Sequence, residues 1–275
     1  MKKYLFLLLF IFLMANSSYC QTITFFETNK AFKTGESLNY TVKYSLYLDI
    51  DVAGFILKVE EQELKGKKLY GLTAYGETYN YSDNFLKVKI GYQSIVNKNN
   101  FLPVLYIRSL TRNEKESKKT VILNRSRKVA INKETKLELP IKSTSQDIIS
   151  TLYLIRTFNF KNSNPGDTYW INTFFAGKTW DLGIKYIGKE TINTKLGKIS
   201  CYKLQPVLSD KLIDELNFFS LSDDDKLFKS DEQINIWLTD DENKIPVRIK
   251  SITNLGSLII DINKCSGLKN TPVWE

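Results

Sequence analysis

The chain has no histidine. That excludes a histidine-based catalytic triad, a histidine general base, a histidine-bound zinc and a histidine pH switch. Its 3 cysteines are too few for a metal site of four cysteine ligands. Long apolar runs are also scarce. The stretch from Tyr4 to Met14 is nearly unbroken, yet it is about half of what a bilayer-spanning helix needs. What the chain does have is material for a core. With 43% hydrophobic and 13% aromatic residues, wholesale disorder is excluded. A length of 275 residues suggests one or two domains.

The first twenty residues read as a secretory signal peptide. Lys2-Lys3 is a short basic region, the apolar run follows, and Asn16-Ser17-Ser18 is polar. The run is too short for a permanent anchor. Cys20 raises the alternative of lipid attachment. A lipoprotein is cut just before its cysteine, after a small residue, and this chain has Tyr19 there. Cleavage after Cys20, with Ser18 and Cys20 as the small flanking residues, fits better. The mature protein is then a periplasmic or otherwise exported chain starting at Gln21.

Charge is local. Without Lys2 and Lys3 the net charge is +7, and the segment Arg108 to Lys136 alone carries +7, from ten basic and three acidic residues. The functional reading is contact between Lys118, Lys119, Arg125, Arg127 and Lys128 and an anionic surface such as phospholipid or lipopolysaccharide head groups. The competing reading is a solvated, lysine-rich hairpin of the kind found at sheet edges. Nucleic acid is not an expected partner of an exported protein.

Period-two alternation dominates the rest. Leu38, Tyr40, Val42, Tyr44, Leu46, Leu48, Ile50 and Val52 occupy every second position. That predicts a long strand with one buried face. Leu86 to Tyr92, Ile234 to Leu238 and Leu258 to Ile262 read the same way. Gly54, Gly66, Gly71 and Gly76 are expected to break the N-terminal run into hairpins. One segment, about residues 145–158, has the helical period. Thr144 or Ser145 can cap it, Asp147 sits in its first turn, and Ile148, Ile149, Leu152 and Ile155 form an apolar stripe to Phe158, with Ile148, Leu152 and Ile155 expected to face the sheet. Asp210 to Phe219 is a second, shorter helical candidate.

The two halves of the chain echo each other. Gly35-Glu36-Ser37 matches Gly166-Asp167-Thr168, and Leu69-Tyr70-Gly71-Leu72 matches Cys201-Tyr202-Lys203-Leu204. Phe85 to Pro103-Val104 matches Phe228 to Pro246-Val247. Shared order at a nearly fixed offset is the mark of a repeat. The fold expected is mainly β. Two related antiparallel meanders, about 32–140 and 163–262, form a barrel, half-barrel or sandwich, with one central helix packed on the sheet. Residues 21–275 make a single β-rich domain.

Three stretches carry a family resemblance. They are Phe32-Lys33-Thr34-Gly35-Glu36-Ser37-Leu38-Asn39-Tyr40, then Gln146-Asp147-Ile148-Ile149-Ser150 with Tyr153 and Arg156, then Ile236-Trp237-Leu238-Thr239-Asp240-Asp241 with Ile245-Pro246-Val247. In that order they resemble the domain-of-unknown-function 3108 family of exported bacterial proteins. The resemblance covers about residues 28 to 262. It implies a β-rich envelope protein and carries over no catalytic residue. Some relatives are likened to periplasmic lipoprotein carriers, which are open β half-barrels over a helix. That is a fold-level analogy.

No chemistry stands out. Asp240-Asp241-Glu242-Asn243 and Asp223-Asp224-Asp225 lack the spacing of a calcium loop, and the first falls where a turn between strands is expected. Asp49, Asp51, Glu77, Asp83 and Asp181 offer carboxylates, but none is singled out as a hydrolase pair. No Ser-x-x-Lys motif opens a helix. Cys201 and Cys265 could pair after export or stay as small apolar residues. The expectation is therefore a non-enzymatic envelope protein, without cofactor or metal, that binds an apolar or amphipathic, lipid-like ligand. Tyr40, Tyr44, Tyr92, Ile148, Leu152 and Trp237 would line the pocket. The rival is a structural or interaction module with a filled core and a basic contact hairpin. N-terminal sequencing of the exported protein should begin at Gln21, and a diacylated Cys20 would overturn the soluble assignment.

Overall fold

Alternating apolar residues build nearly every element. A computed structural model describes residues 20–21, 28–79, 87–175, 177–207, 234–253 and 256–274. The first meander comprises β2 (Ser37–Ser45), β3 (Asp49–Leu64), β4 (Lys67–Thr78), β5 (Val88–Asn97), β6 (Pro103–Arg112), β7 (Lys115–Asn124), β8 (Val129–Asn132) and β9 (Glu138–Pro140). The helix α1 (Ile148–Ile155) follows. The second meander comprises β10 (Thr168–Phe175), β11 (Lys178–Thr194), β12 (Gly197–Val207), β13 (Ile234–Thr239), β14 (Pro246–Thr253) and β15 (Gly256–Ser266). A two-residue strand, β1 (Cys20–Gln21), adds in parallel to β10.

The antiparallel strands form one sheet in the order β10-β11-β12-β13-β14-β15-β2-β3-β4-β5-β6-β7-β8-β9. The seam is β15 against β2, where the last strand returns to the first. The sheet is not closed strand to strand. Its ends are bridged by the segment between β9 and α1. Lys142 pairs with Asp181 at 2.7 Å. Gln146 bridges Thr173 in parallel, its N–H donating to Asn172 O at 2.7 Å. The result is an open barrel-like sheet with a helix inside.

The matched sequence pieces fall on matched strands. Gly35 and Gly166, with φ of +94° and +103°, lead into β2 and β10. Such angles cost glycine nothing. Pro103 and Pro246 open β6 and β14, each after a turn that places one side-chain-bearing residue, Phe101 or Lys244, at positive φ. Phe85 and Phe228 lie outside the described residues, as does Asp210 to Phe219.

Three local expectations are corrected. The helix starts later than Thr144 or Ser145, because Asp147 is its N-cap. The Asp147 carboxylate accepts from Ile149 N–H at 3.0 Å and Ser150 N–H at 2.9 Å, and Asp147 N–H donates to Ser150 Oγ at 2.8 Å. This reciprocal box sets the boundary. Second, the buried face is wider than the Ile148-Leu152-Ile155 stripe, which packs against the core. Ile149, Tyr153, Leu154 and Ile155 are buried, whereas Ile148 and Leu152 are half-buried. A helix enclosed by a curved sheet buries more than one stripe. Third, the alternating run does not continue past Ser45. Leu46-Tyr47-Leu48 is the β2–β3 turn, 54%, 94% and 78% exposed. Of the four glycines, Gly66 sits in a turn, while Gly54, Gly71 and Gly76 lie within β3 and β4. There they accept close neighbours such as the Phe55 ring, 3.3 Å from where a Cβ on Gly76 would be.

One buried ion pair ties these parts together. Arg156, the C-cap of α1, donates to both Glu36 oxygens at 2.6 and 2.8 Å, and both side chains are fully buried. It also donates to Asn243 O, from Nε at 3.3 Å and Nη2 at 3.1 Å. Its guanidinium lies 5.0 Å from the Tyr153 ring and 5.1 Å from the Phe32 ring. Asn243 in turn receives the amide of Asn270 at 2.9 Å. Helix, the entry to β2, the β13–β14 turn and the C-terminal tail thus meet at one guanidinium. Removing one partner strands the other charge, so Arg156→Met should cost about 3–5 kcal/mol in a urea melt. The double variant Glu36→Met/Arg156→Met should lose less than either single change.

Candidate functional site

Residues directly opposite in an antiparallel ladder share a face, so the inner wall can be traced strand by strand. Tyr40 pairs with Phe55 and Ile262, Val42 pairs with Ile260, and Tyr44 with Leu258. Ile249 pairs with both Ile260 and Ile236. On the other side Tyr92 pairs with Ala74 and Arg108, and Arg108 with Lys119. The helix and the bottom turns fill one half of this interior. In that half Leu38, Leu57, Leu72, Phe101, Tyr153 and Ile262 are buried.

The other half is different. Val42, Tyr44, Phe55, Tyr92, Ile234, Ile249 and Ile260 face inward yet are only half-buried. Ile148 and Leu152, one helical turn apart, are half-buried too and pack against the same core. An apolar basin therefore opens above the helix, toward the end of the sheet that carries the β2–β3 and β6–β7 turns. At its β5–β7 side is a cleft of about 30 Å³ lined by Tyr92, Tyr106, Arg108, Lys119, Asp147, Ile148 and Phe175.

Asp147 anchors this corner. It is buried, and Ser94 Oγ donates to its second oxygen at 2.5 Å. Burial pushes its carboxyl above the ordinary range, against the bonds from Ser150, Ser94 and Ile149. Tyr106 is likewise pushed well up, first by burial and then by the neighbouring Asp147 charge. Burial lowers the Arg125 guanidinium to about 10. Cys201 and Cys265 are unpaired thiols. Burial pushes Cys201 up to about 12, so it stays protonated at neutral pH.

Of the pocket residues read from sequence, Tyr44, Tyr92, Ile148 and Leu152 border the basin. Tyr40 lies one layer deeper, buried against Phe55 with ring centroids 5.7 Å apart. Trp237 is on the opposite face of its strand, sharing it with Lys203 and Arg248. There its indole N–H donates to Glu190 at 3.0 Å and Lys203 Nζ sits 5.2 Å over the ring. The basic residues divide. Lys119 faces inward at the cleft, and Lys118 beside it is exposed. Arg125, Arg127 and Lys128 lie at the other end, in the β7–β8 turn. Arg125 donates to Pro103 O at 2.8 Å and Arg127 pairs with Glu138 at 2.7 Å.

Sequence reasoning passed over Arg108 as a site residue, along with Phe55, Ile249 and Ile260. The signal was present. Arg108 has the parity of Tyr106, and Lys119 that of Val121 and Leu123, so all five point the same way. The Asp240–Asn243 stretch is a turn. Asp241 accepts from Asn243 N–H at 3.0 Å and Lys244 N–H at 3.1 Å. Asp83 and Asp223-Asp224-Asp225 lie outside the described residues. Among the described residues no group of three histidine, cysteine or acidic side chains could hold a metal. No described helix is long and apolar enough to cross a membrane.

These features define an open, barrel-like β-protein with a helix in its lumen and an apolar basin above it. The chain belongs to the family described as "Protein of unknown function (DUF3108)", whose model matches residues 39–263. No curated protein matches the sequence. Among solved structures it is similar to a β-barrel-like DUF1849 protein of Brucella abortus. The TM-score is 0.53 and identity 9%, with 86% of this chain and 98% of that chain covered. That likeness concerns the fold alone. A Bacteroides fragilis protein with a YmcC-like fold follows at TM-score 0.32 and 10% identity, covering 86% of this chain and 97% of that one. Mycobacterium tuberculosis lipoprotein LppX follows at 0.29 and 12%, covering 86% and 90%. Likenesses this distant carry no argument about this chain.

The cap offers a direct check. With its carboxyl held above the ordinary range, folded Asp147 takes up its proton at a higher pH than in the unfolded chain, where an aspartate titrates near pH 4. That contribution to stability is present below the ordinary value and is lost as pH rises through the raised one. Asparagine caps equally well. Asp147→Asn should therefore flatten this part of the profile in urea melts, gaining on the wild type as pH rises from about 4. Asp147→Ala should lose about 1–2 kcal/mol at pH 7.

Proposed function

We propose that this is an exported, non-enzymatic envelope protein that binds an apolar or amphipathic, lipid-like ligand in the basin above α1. The observation that carries the reading is the inner wall itself. Phe55, Tyr92, Ile148, Leu152, Ile249 and Ile260 face inward and are only half-buried. Inward apolar positions in a small barrel are normally filled. Leaving them open forgoes about 25 cal/mol for each Å² of apolar surface kept in water. A ligand's chain entering the basin would recover that term. Export is supported by the leader pattern of residues 1–20, with cleavage after Cys20.

One observation favours the rival reading, a structural or interaction module. The β2–β3 turn presents Leu46, Tyr47 and Leu48 to solvent, with Ile50 beside them. The two readings separate in a titration with a fluorescent fatty acid. On the ligand reading, binding saturates at one site per chain and Leu152→Trp weakens it at least tenfold. Absence of saturable binding to the wild type would favour the interaction module.

A further inference from the structure

We propose that the end of the sheet carrying the β2–β3 turn docks on an anionic lipid bilayer, with Leu46, Tyr47 and Leu48 entering its acyl boundary. As a route by which the ligand reaches the basin, the inference rests on the ligand reading above. The docking itself needs no ligand.

Exposed apolar side chains are gathered at this end. Leu46, Tyr47, Leu48 and Ile50 stand exposed at one turn, and Ile252 and Leu258 stand exposed near it on β14 and β15. Elsewhere such residues stand singly, as Leu64 and Leu137 do, which is ordinary for a folded surface. A gathered patch marks a protein or membrane contact. This patch is also continuous with the basin wall. Tyr44 lies opposite both Ile50 and Leu258, and Val42, two positions further in, lies opposite Ile260. An acyl chain that leaves a bilayer at the turn therefore meets apolar side chains all the way to Ile260.

Charge at the same end selects acidic head groups. The β6–β7 hairpin carries Arg112, Lys115, Lys118 and Lys119 against Glu114 and Glu116. Lys178 opens β11, and Lys250 lies near the end of β14. Asp49 and Asp51, at the start of β3, leave these cations in excess. Cations beside an apolar tip suit an anionic bilayer, because apolar burial and head-group attraction add. Tyr47, the most exposed of the patch, has the apolar ring and polar hydroxyl favoured at a membrane interface. A protein partner needs roughly 800 Å² on each side, which a protruding turn does not offer by itself. The turn that an interaction module would use is thus better suited to lipid.

The test uses the full exported chain from Gln21, with vesicles of phosphatidylcholine alone or with one quarter phosphatidylglycerol. The wild type should sediment with the anionic vesicles. Leu46→Ser/Leu48→Ser should weaken this at least about tenfold, the scale of two leucines returned to water, with an unchanged urea midpoint. Leu64→Ser, exposed at the opposite end, should leave it unchanged. Arg112→Gln/Lys115→Gln should weaken binding to the anionic vesicles alone, and salt should act in the same direction. In Tyr47→Trp, brominated acyl chains should quench emission beyond the loss seen in the wild type. Absence of vesicle binding, an unquenched Trp at position 47, or an equal loss from Leu64→Ser would overturn the docking. A wild-type dimer that Leu46→Ser/Leu48→Ser turns into a monomer would overturn it in favour of a second copy of the chain. Failed vesicle binding with one-site fatty-acid binding intact would leave the ligand reading standing. Vesicle binding without saturable fatty-acid binding would keep the docking and overturn the route into the basin.

Discussion

Arg156 and Glu36 are 120 positions apart in the chain and meet in its centre. A guanidinium with no access to water must be matched on every side, or the fold carries an uncompensated charge. Here two carboxylate oxygens, the Asn243 carbonyl and two aromatic faces do the matching. Such a pair is weak grounds for net stability. Its consequence is positional. The helix cannot slide or turn in the lumen without separating charges, and β2 cannot begin elsewhere. The β13–β14 turn is held from one side by Arg156 and from the other by Asn270 of the tail.

Everything about the basin follows from where that pair puts the helix. Its C-terminal end is pinned low in the lumen, among Phe32, Tyr153 and Glu36. Its N-terminal end is held by the Asp147 box and by Ser94 of β5. A helix of 8 residues is about 12 Å long, too short to fill the lumen of a sheet with strands such as β3 and β11. The inner wall beyond Ile148 and Leu152 is left without a covering element among the described residues. The two meanders contribute differently to that wall. The second supplies aliphatic residues, Ile234, Ile249 and Ile260. The first supplies Val42, the aromatics Tyr44, Phe55 and Tyr92, and Arg108 and Lys119.

The two ends of the sheet also differ in character. At the end nearest Arg156, two turns use an asparagine or aspartate side chain to satisfy the backbone, as Asn97 does for Asn99 and Asp241 does for Lys244. At the other end the β2–β3 turn is built from leucine and tyrosine. It is the end onto which the basin opens.

Much of this was legible in the sequence because β-structure writes its faces in a period of two. Strands, the repeat, the glycines before β2 and β10, and the Asp240–Asn243 turn all come from local backbone chemistry, which a single chain displays openly. Alternation also placed Arg108 with Tyr106 and Lys119 with Val121, although a count of charges along the segment hides it. The reversal at Leu46-Tyr47-Leu48 was not legible, since it uses no glycine, proline or asparagine and keeps the alternation going. Nor was the face of Trp237, because both faces of β13 are buried. Which of the helix residues meet the sheet, and that Arg156 meets Glu36, depended on how the two meanders curve around one lumen. Local patterns determine which residues share a face. Only the closed-in tertiary structure decides what that face looks upon, because burial is set by elements more than a hundred residues away.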